Sequence, residues 1–246
     1  MFKLLQSLVS PPRFYSLTRF VGVPLWAIAL MALGCGLWGG LWMAPADYQQ
    51  GDAFRIIYVH VPSAILSLTG YTLIALFSMI YLIWRIKVMD ILAQALAPIG
   101  AIFTFLALIT GAIWGKPMWG TWWVWDARLT AQLILLFLYF GYLALRSAIE
   151  TPTTAAKACA ILALVGVVDI PIIHYSVEWW YTLHQGPTLT KLAKPAIAMS
   201  MLWPLISMLV GFFAYFMAIT LMRARTLLVD QEADTSWVKA LRGQNA

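Results

Sequence analysis

Charge is what this sequence has least of. Only 11% of its 246 residues are charged, against 62% that are hydrophobic, whereas a soluble domain carries about 25% charged and ~45–50% apolar residues. A soluble fold must cover its surface with polar groups, so a mean hydropathy of +0.82 excludes that class. Cysteine is scarce too. Cys35 and Cys159 lie in apolar runs with no C-x-x-C spacing, which excludes a thiol-redox motif or a cysteine zinc site and reads as small apolar filling. No catalytic triad, phosphate-binding loop or internal repeat is visible. The net charge of +6 would suit nucleic acid only if the basic residues clustered on one soluble face. They stand between apolar runs instead, so no nucleic-acid partner is expected.

What is present is a series of long apolar runs. A bilayer core about 30 Å thick needs ~20 apolar residues in a helix. Six runs qualify: 21–43, 60–84, 91–114, 129–147, 158–175 and 197–222. The expected fold is therefore an all-α integral membrane protein, one polytopic domain over residues 1–246. The segment before Val21, with Lys3, Arg13, Arg19 and Pro11-Pro12, does not resemble a cleavable leader, and the first span is expected to be its own insertion signal. Phe2, Leu5 and Phe14 would let this segment lie at the membrane interface. The tail after Arg225 is expected to be a surface helix. With both termini inside, eleven Lys and Arg fall on the inner side and five (Arg55, Lys116, Arg128, Lys191, Lys194) on the outer. The positive-inside rule then gives N-in, C-in, with three loops facing out.

Those outer loops hold the chemistry. The loop 114–130 carries Trp114, Trp119, Trp122, Trp123 and Trp125, five of the thirteen tryptophans. An interfacial aromatic belt spreads tryptophan over many helix ends, whereas this concentration makes an apolar, π-rich platform suited to a flat aromatic ligand. All three histidines, His60, His174 and His184, fall on the same outer side. A lone interfacial histidine is usually structural, but His60 and His184 flank the tryptophan loop, and neutral imidazole is a common haem-iron ligand. Arg55, Lys116 and Arg128 are candidates to meet haem propionates; Arg128 could equally pair with Asp126. Asp169 is the one acidic residue inside a span, costly there and a functional candidate by default, with a structural partner as the other reading. His174 is read as structural. Pro62, Pro171 and Pro204 need mean no more than trimmed or kinked helix ends.

The motif Trp119-Gly120-x-x-Trp123-x-Trp125-Asp126, continued by Arg128-Leu129-Thr130, resembles the tryptophan-rich WWD signature of haem-handling membrane proteins. Val168-Asp169-Ile170-Pro171, His174-Tyr175-Ser176, Trp179-Trp180 and Leu183-His184-Gln185 look like one family among them, cytochrome c maturation protein C, the haem exporter protein C of system I. The resemblance covers nearly the whole chain. It implies haem b held at the periplasmic face of the bacterial cytoplasmic membrane, with His60 and His184 as axial ligands. Trp114, Trp119, Trp122, Trp123, Trp125 and Asp126 would form the platform, supported by Asp169, Trp179 and Trp180. It further implies delivery to a periplasmic haem chaperone (protein E type), a small single-span partner (protein D type) and ATP-binding cassette subunits (A and B types). No catalytic residue is implied, and whether attachment of haem to the chaperone is catalysed here stays open. Larger relatives that ligate haem to apocytochrome have further membrane histidines; this chain has none at mid-membrane.

A second reading is a transporter or ABC-permease-like subunit for another substrate. Transporters usually place their site at the midplane between internal repeats, and the sequence offers no repeat and only Asp169 as a charged intramembrane group.

Overall fold

The computed structural model describes residues 10–184 and 197–243. The expectations placed on Phe2, Lys3, Leu5, Gln185, Lys191 and Lys194 lie outside the described residues.

Among the described residues the chain is all helix, with no strand. The helices are α1 (Pro11–Trp38), α2 (Ile57–Trp84), α3 (Lys87–Trp119), α4 (Ala127–Ala148), α5 (Pro152–Gly166), α6 (Asp169–Trp179), α7 (Met199–Gln231) and the short α8 (Ser236–Leu241). A π-helical turn, Gly39–Met43, extends α1, and a 3-10 turn, Asp52–Ile56, leads into α2. Six helical stretches are long and apolar enough to cross a membrane: Pro11–Met43, Asp52–Trp84, Lys87–Trp119, Ala127–Ala148, Pro152–Trp179 and Met199–Gln231.

Each boundary has a local cause. Pro11 and Pro12 open α1, where a missing N–H costs nothing. Arg85 takes the left-handed conformation (φ 55°) that closes α2, so only Arg85 and Ile86 separate α2 from α3. Gly120 ends α3 at φ 76°, in the region where a side chain is strained. The fifth span breaks between α5 and α6 because Pro171 has no N–H to give the Val167 carbonyl one turn back.

The helices outrun the apolar windows at several ends. Residues 11–20, expected at the interface, are the first turns of α1. Helix α7 continues past Arg225 to Gln231 before α8. Helix α3 runs on through Trp119, so Trp114 and Trp119 are helical and only residues 120–126 are non-helical. Polar residues lower a hydropathy average without ending a helix, and backbone hydrogen bonding inside a bilayer favours carrying the helix to the interface.

The core sits among α2, α3, α4 and α5. Tyr71, Tyr139 and Tyr142 are fully buried there. Tyr139 donates to the Ser67 carbonyl at 2.7 Å, and Gln132 donates to the Ser67 hydroxyl at 2.9 Å. A Cβ at Gly100 would collide with the Tyr139 ring. This is the small-residue packing with buried polar contacts that holds membrane helices together where lipid gives no hydrophobic drive. Helix α1 stands outside, packed mainly on α7.

Contacts separate the bundle into two ends. At the end bearing the termini, Arg146 grips both oxygens of Asp90 at 2.8 Å, Lys87 pairs with Glu232 at 3.1 Å, and Arg225 donates to the Thr18 carbonyl. At the other end, Arg55 donates to the Gly40 carbonyl at 2.6 Å, Trp114 to Gln50 at 2.8 Å, and His184 meets Asp126. The histidines and the tryptophan-rich stretch share this second end.

Candidate bis-histidine site

His60 lies in the first turns of α2, beside the last turns of α3. Its Nδ1 is 3.0 Å from the Thr110 hydroxyl oxygen. That hydroxyl lies 2.6 Å from the Leu106 carbonyl, one turn back on α3. A carbonyl only accepts, so it takes the one hydroxyl hydrogen, and the Thr110 oxygen faces His60 as an acceptor. Nδ1 therefore carries the ring proton and Nε2 keeps its lone pair. Gly111 allows the close approach: a Cβ there would come to 3.1 Å from His60 Cε1. Trp114 packs edge-on to the ring, with centroids 5.7 Å apart.

His184 follows α6 on a non-helical stretch and is set the same way by a different partner. Its Nδ1 is 3.3 Å from Asp126 Oδ2. A carboxylate accepts, so Nδ1 again holds the proton and Nε2 is the free nitrogen. Trp119 packs edge-on at 4.7 Å. Asp126 has a second task, because its Oδ1 accepts the Leu129 N–H at 2.8 Å and caps the N-terminus of α4. One residue thus starts the helix and orients the histidine. Burial pushes the His184 pKa below the ordinary 6.5, and Arg128 pushes the same way, while the Asp126 charge pulls it back up. His60, His184 and Arg128 lie close enough to act on one another electrostatically.

The sequence-derived cations separate here. Arg55 is held by Asp52 at 3.0 Å and by the Gly40 carbonyl. Lys116 donates to the Gly120 carbonyl at 2.9 Å, closing the end of α3. Arg128 forms no ion pair among the described residues, while the Asp126 charge still acts on it.

The tryptophans divide as well. Trp122 and Trp125 are exposed, at 56% and 75%. Trp123 packs on the core and stands at 5.4 Å to Trp125, and its buried Nε1 has no acceptor among the described residues. Trp179 stacks on Tyr175 at 5.4 Å and, like Trp180, is exposed. Asp169 is buried at the start of α6, with Oδ2 unpartnered among the described residues; its charge acts on Tyr71 in the core, away from the histidines' own contacts. His174 is exposed and packs on Tyr175. Two residues escaped sequence reasoning, Thr110 and Gln50. A threonine in an apolar run and a glutamine in a short loop carry no motif, and only their contacts reveal them.

The arrangement offers two neutral nitrogen donors at one end of the bundle. Two imidazoles in the same tautomer present Nε2 lone pairs, each ring packs on a tryptophan edge, and Arg128, without an ion pair among the described residues, acts on both rings. Among the described residues no group of three or more His, Cys, Asp or Glu comes together. Fold and site define a six-span membrane protein with a tryptophan-walled histidine pair at one end. A family model described as "Heme exporter protein C" matches residues 4–239. Proteins named heme exporter protein C from Haemophilus influenzae are 57% identical over 219 residues, covering 89% of each chain. Those from Escherichia coli K12 are 49% identical over 243 residues (98% of this chain, 97% of theirs), and those from Bradyrhizobium diazoefficiens 44% over 218 (89% and 82%). The chain belongs to the heme exporter protein C family.

Proposed function

We propose that this protein binds haem b at the periplasmic face of the bacterial inner membrane and delivers it to a periplasmic haem chaperone for c-type cytochrome biogenesis. The observation that carries the reading is the histidine pair, His60 and His184, each locked with Nδ1 protonated and Nε2 free. Iron ligation by imidazole needs that lone pair, and a fixed tautomer supplies it without reorganisation. Trp114 and Trp119 brace the two rings. Trp122 and Trp125 offer an apolar surface to porphyrin or to the docking chaperone. Arg128 is the cation best placed for a propionate, because Arg55 is committed to Asp52 and the Gly40 carbonyl and Lys116 to the Gly120 carbonyl. Ligation by both histidines would leave no open position on the iron, which shields the cargo from water and oxygen until transfer.

The ATP-binding cassette subunits and a small single-span partner complete this reading. The exposed outer side of α1, which packs mainly on α7 alone, leaves room for further membrane contacts. Delivery is tested by co-expressing the chain with the haem chaperone and measuring haem on the purified chaperone. Loading should require this chain and fall when Trp122 and Trp125 are both replaced by Ala. Equal loading without this chain would refute the delivery role.

A further inference from the structure

We infer that the two ligands are unequal by construction: Asp126 makes His184 the anchoring ligand, and Thr110 leaves His60 the one that yields at handover. This rests on the bis-histidine reading and adds a direction to it.

The difference lies in what stands behind each ring. His184 Nδ1–H donates to Asp126, a carboxylate whose side chain is 5% exposed. A proton shared with a buried carboxylate gives the ring more electron density, so its Nε2 is the stronger donor, above all to ferric iron. His60 meets neutral groups only, the Thr110 hydroxyl at Nδ1, whose own hydrogen is spent on Leu106, and the backbone of Ala107. The Thr110 contact fixes the tautomer and brings no charge. Arg128 acts on both rings in the same sense, so it does not remove the difference. The mountings differ likewise. His60 sits on a long span against α3, so it can release the iron and keep its place. His184 sits on a non-helical stretch whose described side-chain anchors are Asp126, Trp119 and the Thr182 hydroxyl.

Handover then begins with a ligand exchange. The bond from His60 Nε2 to iron breaks, and an incoming neutral nitrogen donor forms the new one. His60 leaves as neutral imidazole with its Nδ1–H still on Thr110. No electron or proton changes hands. His184 holds the cargo throughout, and Thr110 and Asp126 are positioning residues.

The test uses the full-length, haem-loaded protein in detergent. Asp126→Asn keeps the α4 cap, since Asn caps as well as Asp, and replaces the charged acceptor at His184 Nδ1 with an amide NH2. It should weaken ferric relative to ferrous binding about tenfold, raising the midpoint potential by about 59 mV. Thr110→Val should raise it by less than half of that and speed carbon monoxide binding to the ferrous form several-fold, with Thr110→Ser restoring the parent rate. Haem content should fall about tenfold further in His184→Ala than in His60→Ala. Equal potential shifts in Asp126→Asn and Thr110→Val, or equal haem loss in the two histidine variants, would overturn the asymmetry. A parent protein without a low-spin bis-imidazole spectrum would overturn the underlying reading itself.

Discussion

Asp126 does two jobs with two oxygens, and substitution can separate them. Oδ1 caps α4 through Leu129 N–H at 2.8 Å, and Oδ2 takes His184 Nδ1 at 3.3 Å. Asp126→Ala removes both. Loss of an N-cap costs about 1 kcal/mol, within a range of about 0.5–2. It also strands the His184 N–H in a half-buried site, for about 1–3 kcal/mol more. Asp126→Asn keeps the cap with its one oxygen and turns its NH2 toward His184 Nδ1, so the neutral ring takes the other tautomer with Nδ1 accepting; the ligand-free protein should lose well under 1 kcal/mol, by the near-equality of Asn and Asp caps. Haem affinity should respond differently, because the carboxylate charge is gone in both variants. Removing a partner behind a metal-bound histidine costs about 10–100-fold in affinity. The assay is thermal unfolding of the haem-free protein in detergent, beside the rate of haem loss to a scavenging apoprotein. The expected pattern is one destabilised variant, Ala, and two leaky ones, Ala and Asn. If Asn melted as early as Ala, or retained haem like the parent, the division of labour between the two oxygens would be wrong.

Other consequences are open to measurement. Arg146→Ala strands Asp90 at the opposite end of the bundle, where both side chains are 11% exposed; breaking such a pair costs about 3–5 kcal/mol. The double variant Asp90→Asn/Arg146→Gln should melt closer to the parent than Arg146→Ala does. Gly100→Leu forces a side chain into the Tyr139 ring and should destabilise by about 1–3 kcal/mol or more, seen as early aggregation on heating in detergent. Arg128→Ala should weaken haem binding by about tenfold or more if it meets a propionate, as charged hydrogen bonds contribute about 1.5–3 kcal/mol, while Lys116→Ala should leave it unchanged. Acid should release haem late. Proton and iron compete for His184 Nε2, and burial lowers its pKa from the ordinary 6.5, so retention should begin to fall at a lower pH than a free imidazole would set, as read from the Soret band in an acid titration.

Much of the fold was legible because membrane spans are written in composition. Six apolar runs became six spans, with the fifth broken where Pro171 stands. Span ends were less legible, since Arg13 and Arg19 on α1 or Asp230 on α7 pull a hydropathy average down while the backbone stays helical. The paired histidines and the tryptophan motif were also visible, through spacing and resemblance. What joins them was not. Asp126 and His184 are 58 residues apart and Thr110 and His60 are 50 apart, and nothing local to Thr110 marks it as different from any threonine in a span. Arg128 shows the same limit: from sequence it could pair with Asp126 or bind a propionate, and in the structure it makes no ion pair among the described residues yet feels the Asp126 charge.

The most direct measurement is the absorption spectrum of the detergent-purified protein beside His60→Ala and His184→Ala. Ligation by both rings requires a Soret band with low-spin bis-imidazole features in the parent, lost or shifted in each variant. A parent that stays colourless when co-expressed with the haem chaperone, or variants with unchanged spectra, would contradict the site.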